Sequence, residues 1–145
     1  MLQVRLPGSN PFQIAVSEST TESARPLRVA VADDEAELRI YFARALPHLG
    51  YTVTKIVATG EELVKQCQRS PPEVVICDVQ LAGISGPEAV ATIREQFSIA
   101  AVYITENSHE DKAASAAAYC GILTKPFRMH DLTPAIQRAV AERPG

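Results

Sequence analysis

Residues 73–78 read Glu73-Val74-Val75-Ile76-Cys77-Asp78, four apolar residues in a row running into a single carboxylate. A strand apolar at consecutive positions has no polar face, so both of its sides must be covered. The stretch Ala100-Ala101-Val102-Tyr103-Ile104 repeats the pattern. Strands of this kind belong to parallel sheets with helices on both faces, because an antiparallel sheet usually leaves one face to water.

Working outward, apolar runs rich in β-branched residues occur at 28–32, 51–57, 73–77, 99–104 and 121–124. Segments with helical spacing lie between and after them. Ala36, Ile40, Ala43 and Leu46 make one stripe; Leu63, Val64 and Cys67 make a second. Pro87, Ala89, Val90, Ile93 and Phe97 make a third, and Leu132, Ile136 and Val140 another. Residues 108–118 are Ala-rich and favour helix by propensity. Pro47 is placed to end the first helix before Gly50. Five strands alternating with five helices predict an α/β domain around a central parallel sheet.

The chain has 145 residues, one domain's worth at roughly 150 residues per domain. Hydrophobic residues make up 46% and charged residues 21%, which is globular composition and excludes wholesale disorder. A net charge of −3 gives no global attraction to nucleic acid or anionic membrane. Cys67, Cys77 and Cys120 lack any CxxC or Cys/His ligand spacing, which fits reduced, buried thiols rather than a secreted scaffold. His48, His109 and His130 share no metal-ligand spacing either. No apolar stretch of about 7–15 residues follows a basic start, and none approaches the ~20 of a membrane span. The expectation is a cytoplasmic protein. Residues 1–26 contain Ser17-Glu18-Ser19-Thr20-Thr21-Glu22-Ser23 among Pro7, Pro11 and Pro26, and read as a flexible leader. Within it Phe12-Gln13-Ile14-Ala15-Val16 is a short apolar piece.

In a doubly wound sheet, sites form beyond the carboxyl ends of the strands. Here those ends carry Asp33-Asp34-Glu35, Asp78, Thr105 and Lys125-Pro126. Singly, an Asp after a strand is most simply a helix N-cap, a Thr a turn residue and a Lys a solvated charge. Jointly they are hard to obtain from capping alone. Clustered carboxylates resist ionisation unless a cation sits among them, and Mg²⁺ takes hard oxygen ligands. A carboxylate can act as a nucleophile toward phosphorus, lysine can neutralise the transferred oxygens, and a threonine hydroxyl can donate to one of them.

Asp33-Asp34-Glu35, Asp78 with Gly86 eight residues on, Thr105 and Lys125-Pro126-Phe127 together resemble the receiver domain of two-component response regulators. The resemblance implies a flavodoxin-like, CheY-like sheet of order 2-1-3-4-5 with five helices, the receiver occupying residues 27–143. It implies that Asp78 is the phosphoacceptor and that Mg²⁺ is held by Asp33, Asp34, Asp78 and the backbone carbonyl of Gln80. Thr105 and Lys125 would contact the phosphoryl group, and the Lys125–Pro126 bond would be cis. The donor would be a sensor histidine kinase or a phosphotransfer protein, and the chemistry self-phosphotransfer rather than metabolite turnover. Phosphorylation would switch the face made by residues 108–118, the fifth strand and the last helix, toward a downstream effector or output domain, with homodimerisation possible. Direct nucleic-acid binding by this domain and membrane association are not expected. The chain up to Gly145 holds no output domain, implying a stand-alone receiver or part of a longer regulator. Residues 131–136 resemble receivers that precede RNA-binding antiterminator domains.

Three positions depart from the family pattern. Ala82 stands where proline is usual, Ile122 where many receivers have an aromatic switch residue, and Glu106 where a small residue is common. Tyr103 and Tyr119 are the aromatics available as substitutes, and Gln80 and Asn107 occupy positions that tune dephosphorylation in the family. A haloacid-dehalogenase-like phosphatase would want an Asp at Gln80, and a flavodoxin-like electron carrier a hydroxyl- and glycine-rich loop at Asp33-Asp34-Glu35. The remaining alternative is a pseudo-receiver, an interaction module not regulated by phosphorylation.

Overall fold

Every residue of the strands Val74–Asp78 and Ala100–Thr105 is buried, as their unbroken apolar runs require. The computed structural model describes residues 25–106 and 120–142. In chain order they form β1 (Arg28–Ala32), α1 (Ala36–His48), β2 (Thr52–Val57), α2 (Gly60–Arg69) and β3 (Val74–Asp78). There follow α3 (Gly86–Arg94), β4 (Ala100–Thr105), β5 (Cys120–Thr124), a 3-10 turn at Met129–Asp131 and α4 (Leu132–Ala141). The strands pair in the order β2-β1-β3-β4-β5, all parallel. The expected strand order is therefore present, with four α-helices among the described residues. The predicted helix at 108–118 and nearly all of the predicted leader lie outside those residues.

Strand alternation divides the core in two. Ala30, Ala32, Val75, Cys77, Ala101 and Tyr103 face α2 and α3, meeting Leu63, Cys67, Ala89, Val90 and Ile93. Val29, Val31, Val74, Ile76, Val102 and Ile104 face α1 and α4, meeting Phe42, Leu46, Leu132 and Ile136. Cys67 and Cys77 are free, buried thiols within the first cluster, and burial pushes the Cys67 thiol up to about 11.

The sequence predicts the α1 stripe at Ala36, Ile40, Ala43 and Leu46, but only Leu46 of these is buried, and Ile40 is 55% exposed. The face on the sheet is Phe42, Ala45 and Leu46, flanked by Leu38, Tyr41 and Leu49. Phe127, from the Lys125-Pro126-Phe127 motif, stacks on Phe42 with centroids 5.9 Å apart and meets Tyr41 edge-on, also at 5.9 Å. This aromatic cluster selects the phase of α1, since rings bury more apolar area than Ile40 and the alanines. The other end of the sheet is closed by a clasp. Glu73 accepts from Arg25 Nη2 at 2.7 Å and from the Arg28 backbone N–H at 2.9 Å, joining the start of β1 to the start of β3. Those two arginines hold the Glu73 carboxyl below the usual carboxylate range, the hydrogen bond from Arg25 contributing most.

Candidate functional site

From β1 the chain crosses to β2 on one side of the sheet and later to β3 on the other, which opens a crevice at the carboxyl ends of β1 and β3. Asp33 follows β1 directly and Asp78 is the last residue of β3. Neither caps a helix. α1 begins behind Glu35 without a side-chain cap, and α3 begins behind Ser85, whose Oγ accepts from the Glu88 N–H at 3.2 Å. Asp33 is fully buried; its Oδ1 accepts from the Glu35 N–H at 2.8 Å, while its Oδ2 is buried without a partner. Asp78 is 9% exposed, and its Oδ1 accepts from the Gln80 N–H at 2.8 Å. Its Oδ2 lies 3.3 Å from Lys125 Nζ.

Lys125 reaches that position because two contacts, one of its backbone N–H and one of Phe127, fix its surroundings. Its backbone N–H donates to the Thr105 carbonyl at 2.8 Å, so β4 and β5 stay in register past Thr105. The Lys125–Pro126 bond is cis, as the resemblance implied, and Phe127 anchors the chain on α1. The ammonium is shared, lying 3.5 Å from Glu35 Oε2 as well. Thr105, 4% exposed, sits on the same rim.

Burial is the main reason that the Asp33 carboxyl is pushed up to about 6, with the Asp78 charge adding to it against the Glu35 N–H and Lys125. Asp78 is raised as well, again chiefly by burial, with the Gln80 N–H and Lys125 opposing and Asp34 adding. Burial alone would lower Lys125, but Asp78, Glu35 and Asp33 together carry it above the ordinary lysine value. Two crowded, partly desolvated carboxylates with one lysine leave a deficit of positive charge.

The orphaned Asp33 Oδ2 is an acceptor that a cation would satisfy. Among the described residues no three His, Cys, Asp or Glu side chains converge into a cage for a metal. One or two carboxylates completed by water and phosphoryl oxygens are the donor set that Mg²⁺ takes, so the residues present fit that ion.

The rim thus brings together Asp33, Asp78, Thr105 and Lys125, with Asp34 exposed beside them and the Gln80 backbone against Asp78. Glu106 is exposed and lines a groove of about 600 Å³ with Glu35, Glu37, Lys125 and Phe127. Ile122 packs partly buried against the α2–α3 side of the core, and Tyr103, opposite it in register, is 1% exposed in the same cluster. Tyr119, Asn107 and His109 lie outside the described residues. The sequence places Glu35 in the strand-end cluster but does not show it as a second partner of Lys125, and Arg39, whose Nη1 donates to the Asp33 carbonyl at 2.8 Å, was not legible. Only the position of Glu35 beside the two aspartates offered a signal.

Gly86 fixes Asp78 from behind. A Cβ there would run into the Asp78 carbonyl oxygen and lie 3.1 Å from Cys77 Sγ. Gly86→Ala is expected to lever α3 off β3 and cost about 1–3 kcal/mol by overpacking, read as a lower urea midpoint. An unchanged midpoint would show that α3 can shift freely.

Fold and rim together define a doubly wound α/β domain with an acidic, lysine-bearing site at the strand ends. The chain belongs to the response regulator receiver domain family, whose model matches residues 29–137, and so to two-component signalling. It is similar to the transcriptional regulatory protein PdtaR of Mycobacterium tuberculosis, 34% identical over 125 residues, covering 83% of this chain and 60% of that protein. The chain therefore spans about 60% of the length of that relative. The chemotaxis response regulator CheY4 of Vibrio cholerae superposes with a TM-score of 0.70 at 27% identity, covering 79% of this chain and 98% of that one. The receiver domain of sensor histidine kinase PA1611 from Pseudomonas aeruginosa, solved with magnesium coordinated in its active site cleft, shares the fold. Its TM-score is 0.71 at 24% identity, covering 80% of this chain and 98% of that one. Among the described residues no helix is long and apolar enough to cross a membrane.

Proposed function

We propose that this domain accepts a phosphoryl group on Asp78 from the phosphohistidine of a sensor histidine kinase or phosphotransfer protein, in the cytoplasm. The observation that carries the reading is Lys125 Nζ, 3.3 Å from Asp78 Oδ2, on a rim where Asp33 Oδ2 is buried and unsatisfied. Asp33 and Asp78 are the carboxylates that would hold Mg²⁺, with exposed Asp34 and the Gln80 backbone carbonyl as further oxygen donors beside them, and the ion when bound supplies positive charge to carboxylate and phosphoryl oxygens. In the transfer an Asp78 carboxylate oxygen bonds to phosphorus, the P–N bond breaks, and the donor imidazole leaves with the electron pair. Lys125 counters the charge on the equatorial oxygens, so positioning and electrostatics supply the acceleration. The chemistry is a single self-modification, not turnover of a metabolite.

The product adds roughly −1.5 to −2 charge and three acceptor oxygens to a rim already rich in carboxylates. Lys125, 3.3 Å from the Asp78 carboxylate, and Thr105, on the same rim, are the side-chain donors we assign to it. Because the Thr105 carbonyl holds the Lys125 N–H at 2.8 Å, a shift at either is transmitted to the start of the segment leading into α4. The equilibrium so biased is that of the surface around β5 and α4, toward an effector, an output domain or a second copy. Residues 27–143 are the extent we assign to this unit, with 1–26 as a leader.

The test is chemical mapping. The full chain is incubated with acetyl phosphate and Mg²⁺, the acyl phosphate is trapped by borohydride reduction, and the modified residue is located by mass spectrometry. Modification at Asp78 is expected. Modification elsewhere overturns the assignment of Asp78, and none with any donor overturns the reading in favour of an interaction module not regulated by phosphorylation.

A further inference from the structure

Glu61, the second residue of α2, lies outside the acidic rim yet reaches the loop that leads away from Asp78. Its Oε2 accepts from the Ile84 N–H at 3.1 Å, and its carboxylate occupies the space a side chain at Gly83 would need. Beside it Thr59 and Ala82 form an isolated parallel β-bridge.

The backbone donors of residues 79–86 show what this contact does. Val79 N–H donates to the Ile104 carbonyl at 3.0 Å and Gln80 N–H to Asp78 Oδ1 at 2.8 Å, which fastens the start of the loop to β4 and to β3. Ser85 N–H donates to Glu88 Oε1 at 2.9 Å and Gly86 N–H to the Val79 carbonyl at 2.9 Å, which fastens its end to α3 and back onto itself. The middle is held from α2, by the Ala82 bridge and by Glu61. Ala82 brings no ring to fix its φ, and Gly83, at φ +83°, is in the left-handed region that glycine adopts without steric cost. An Ala-Gly pair in a turn has many alternative conformations in solution, so an acceptor fixed on a neighbouring helix restricts it where the sequence does not.

We propose that Glu61 is a positioning residue for the phosphoacceptor loop, holding from α2 the segment that sets the Gln80 backbone against the Asp78 carboxylate. The role rests on Asp78 being the phosphoacceptor. Because the contact is exposed and net hydrogen bonds are modest, its loss should disturb the loop far more than the fold.

Three forms of the full chain decide it: wild type, Glu61→Ala and Glu61→Gln. Each is measured by NMR hydrogen exchange at the Ile84 amide, by Mg²⁺ titration followed at the Gln80 amide, and by thermal midpoint. Glu61→Ala is expected to speed Ile84 exchange and weaken Mg²⁺ binding by about threefold to tenfold, with a nearly unchanged midpoint. Glu61→Gln keeps an acceptor oxygen and should restore both readouts to near wild type. Unchanged Ile84 exchange in Glu61→Ala, faster exchange with unchanged Mg²⁺ affinity, or equal losses in both variants with a lowered midpoint would each overturn the role. Should mapping place the phosphoryl group elsewhere while Ile84 exchange still responds to Glu61, the phosphoacceptor reading of Asp78 fails and the loop contact stands.

Discussion

Asp78→Asn is expected to reduce labelling by acetyl phosphate to background while leaving the domain folded. The amide keeps an oxygen in place of Asp78 Oδ1 to accept from the Gln80 N–H at 2.8 Å, so the turn after β3 persists. What disappears is the anionic oxygen that bonds to phosphorus, which an amide does not replace. Burial already raises the Asp78 carboxyl, so removing its charge relieves a desolvation cost in the metal-free protein. Intact-mass measurement after incubation with donor and Mg²⁺ reads the outcome, with circular dichroism as the control for folding. Equal labelling of wild type and variant would remove Asp78 from the mechanism.

Asp33→Asn carries the second large effect, and it separates stability from metal dependence. The Asp33 carboxyl titrates near 6 in the folded chain, above its ordinary 3.8. Between those values the folded state keeps a proton that the unfolded state has released, so stability falls as pH rises through that window. In chelator, the wild type is therefore expected to be more stable at pH 5 than at pH 7. Each tenfold in proton affinity corresponds to about 1.4 kcal/mol, so Asp33→Asn should gain about 1–3 kcal/mol at pH 7 without metal. Mg²⁺ should raise the wild-type Tm at pH 7 and do little for the variant, whose labelling should also lose its metal requirement or fall away. A variant less stable than wild type in chelator, or equally stabilised by Mg²⁺, would show that Asp33 is a structural carboxylate.

The strands were legible because a buried parallel strand has no polar face to confuse the pattern, and the convergence of the candidate residues was legible because the sheet topology delivers strand ends to one rim. Asp33, Asp78, Thr105 and Lys125 needed only that rule and their positions. α1 was misread for a physical reason: it carries apolar residues on two faces, and spacing alone fits both Ile40 with its alanines and Phe42 with Leu46. Phe127, far along the chain, supplies the ring contact that chooses. Glu61 reads locally as a charge favoured by the α2 dipole, but its partner is the amide of Ile84 in another loop. Arg39 is hidden in the same way, since its acceptor is a carbonyl rather than a side chain. Contacts between segments leave no period in a single segment.

The Arg25–Glu73 clasp has a practical meaning for anyone attaching the domain to something else. It holds the beginning of β1 at the pole of the sheet opposite Asp78, with the length of β3, five residues at about 3.3 Å each, in between. A biotin, dye or solid support placed on this pole, beside the Arg25–Glu73 pair, sits away from the Asp78 rim. A sensor chip built this way presents its acidic rim outward to whatever donor flows past.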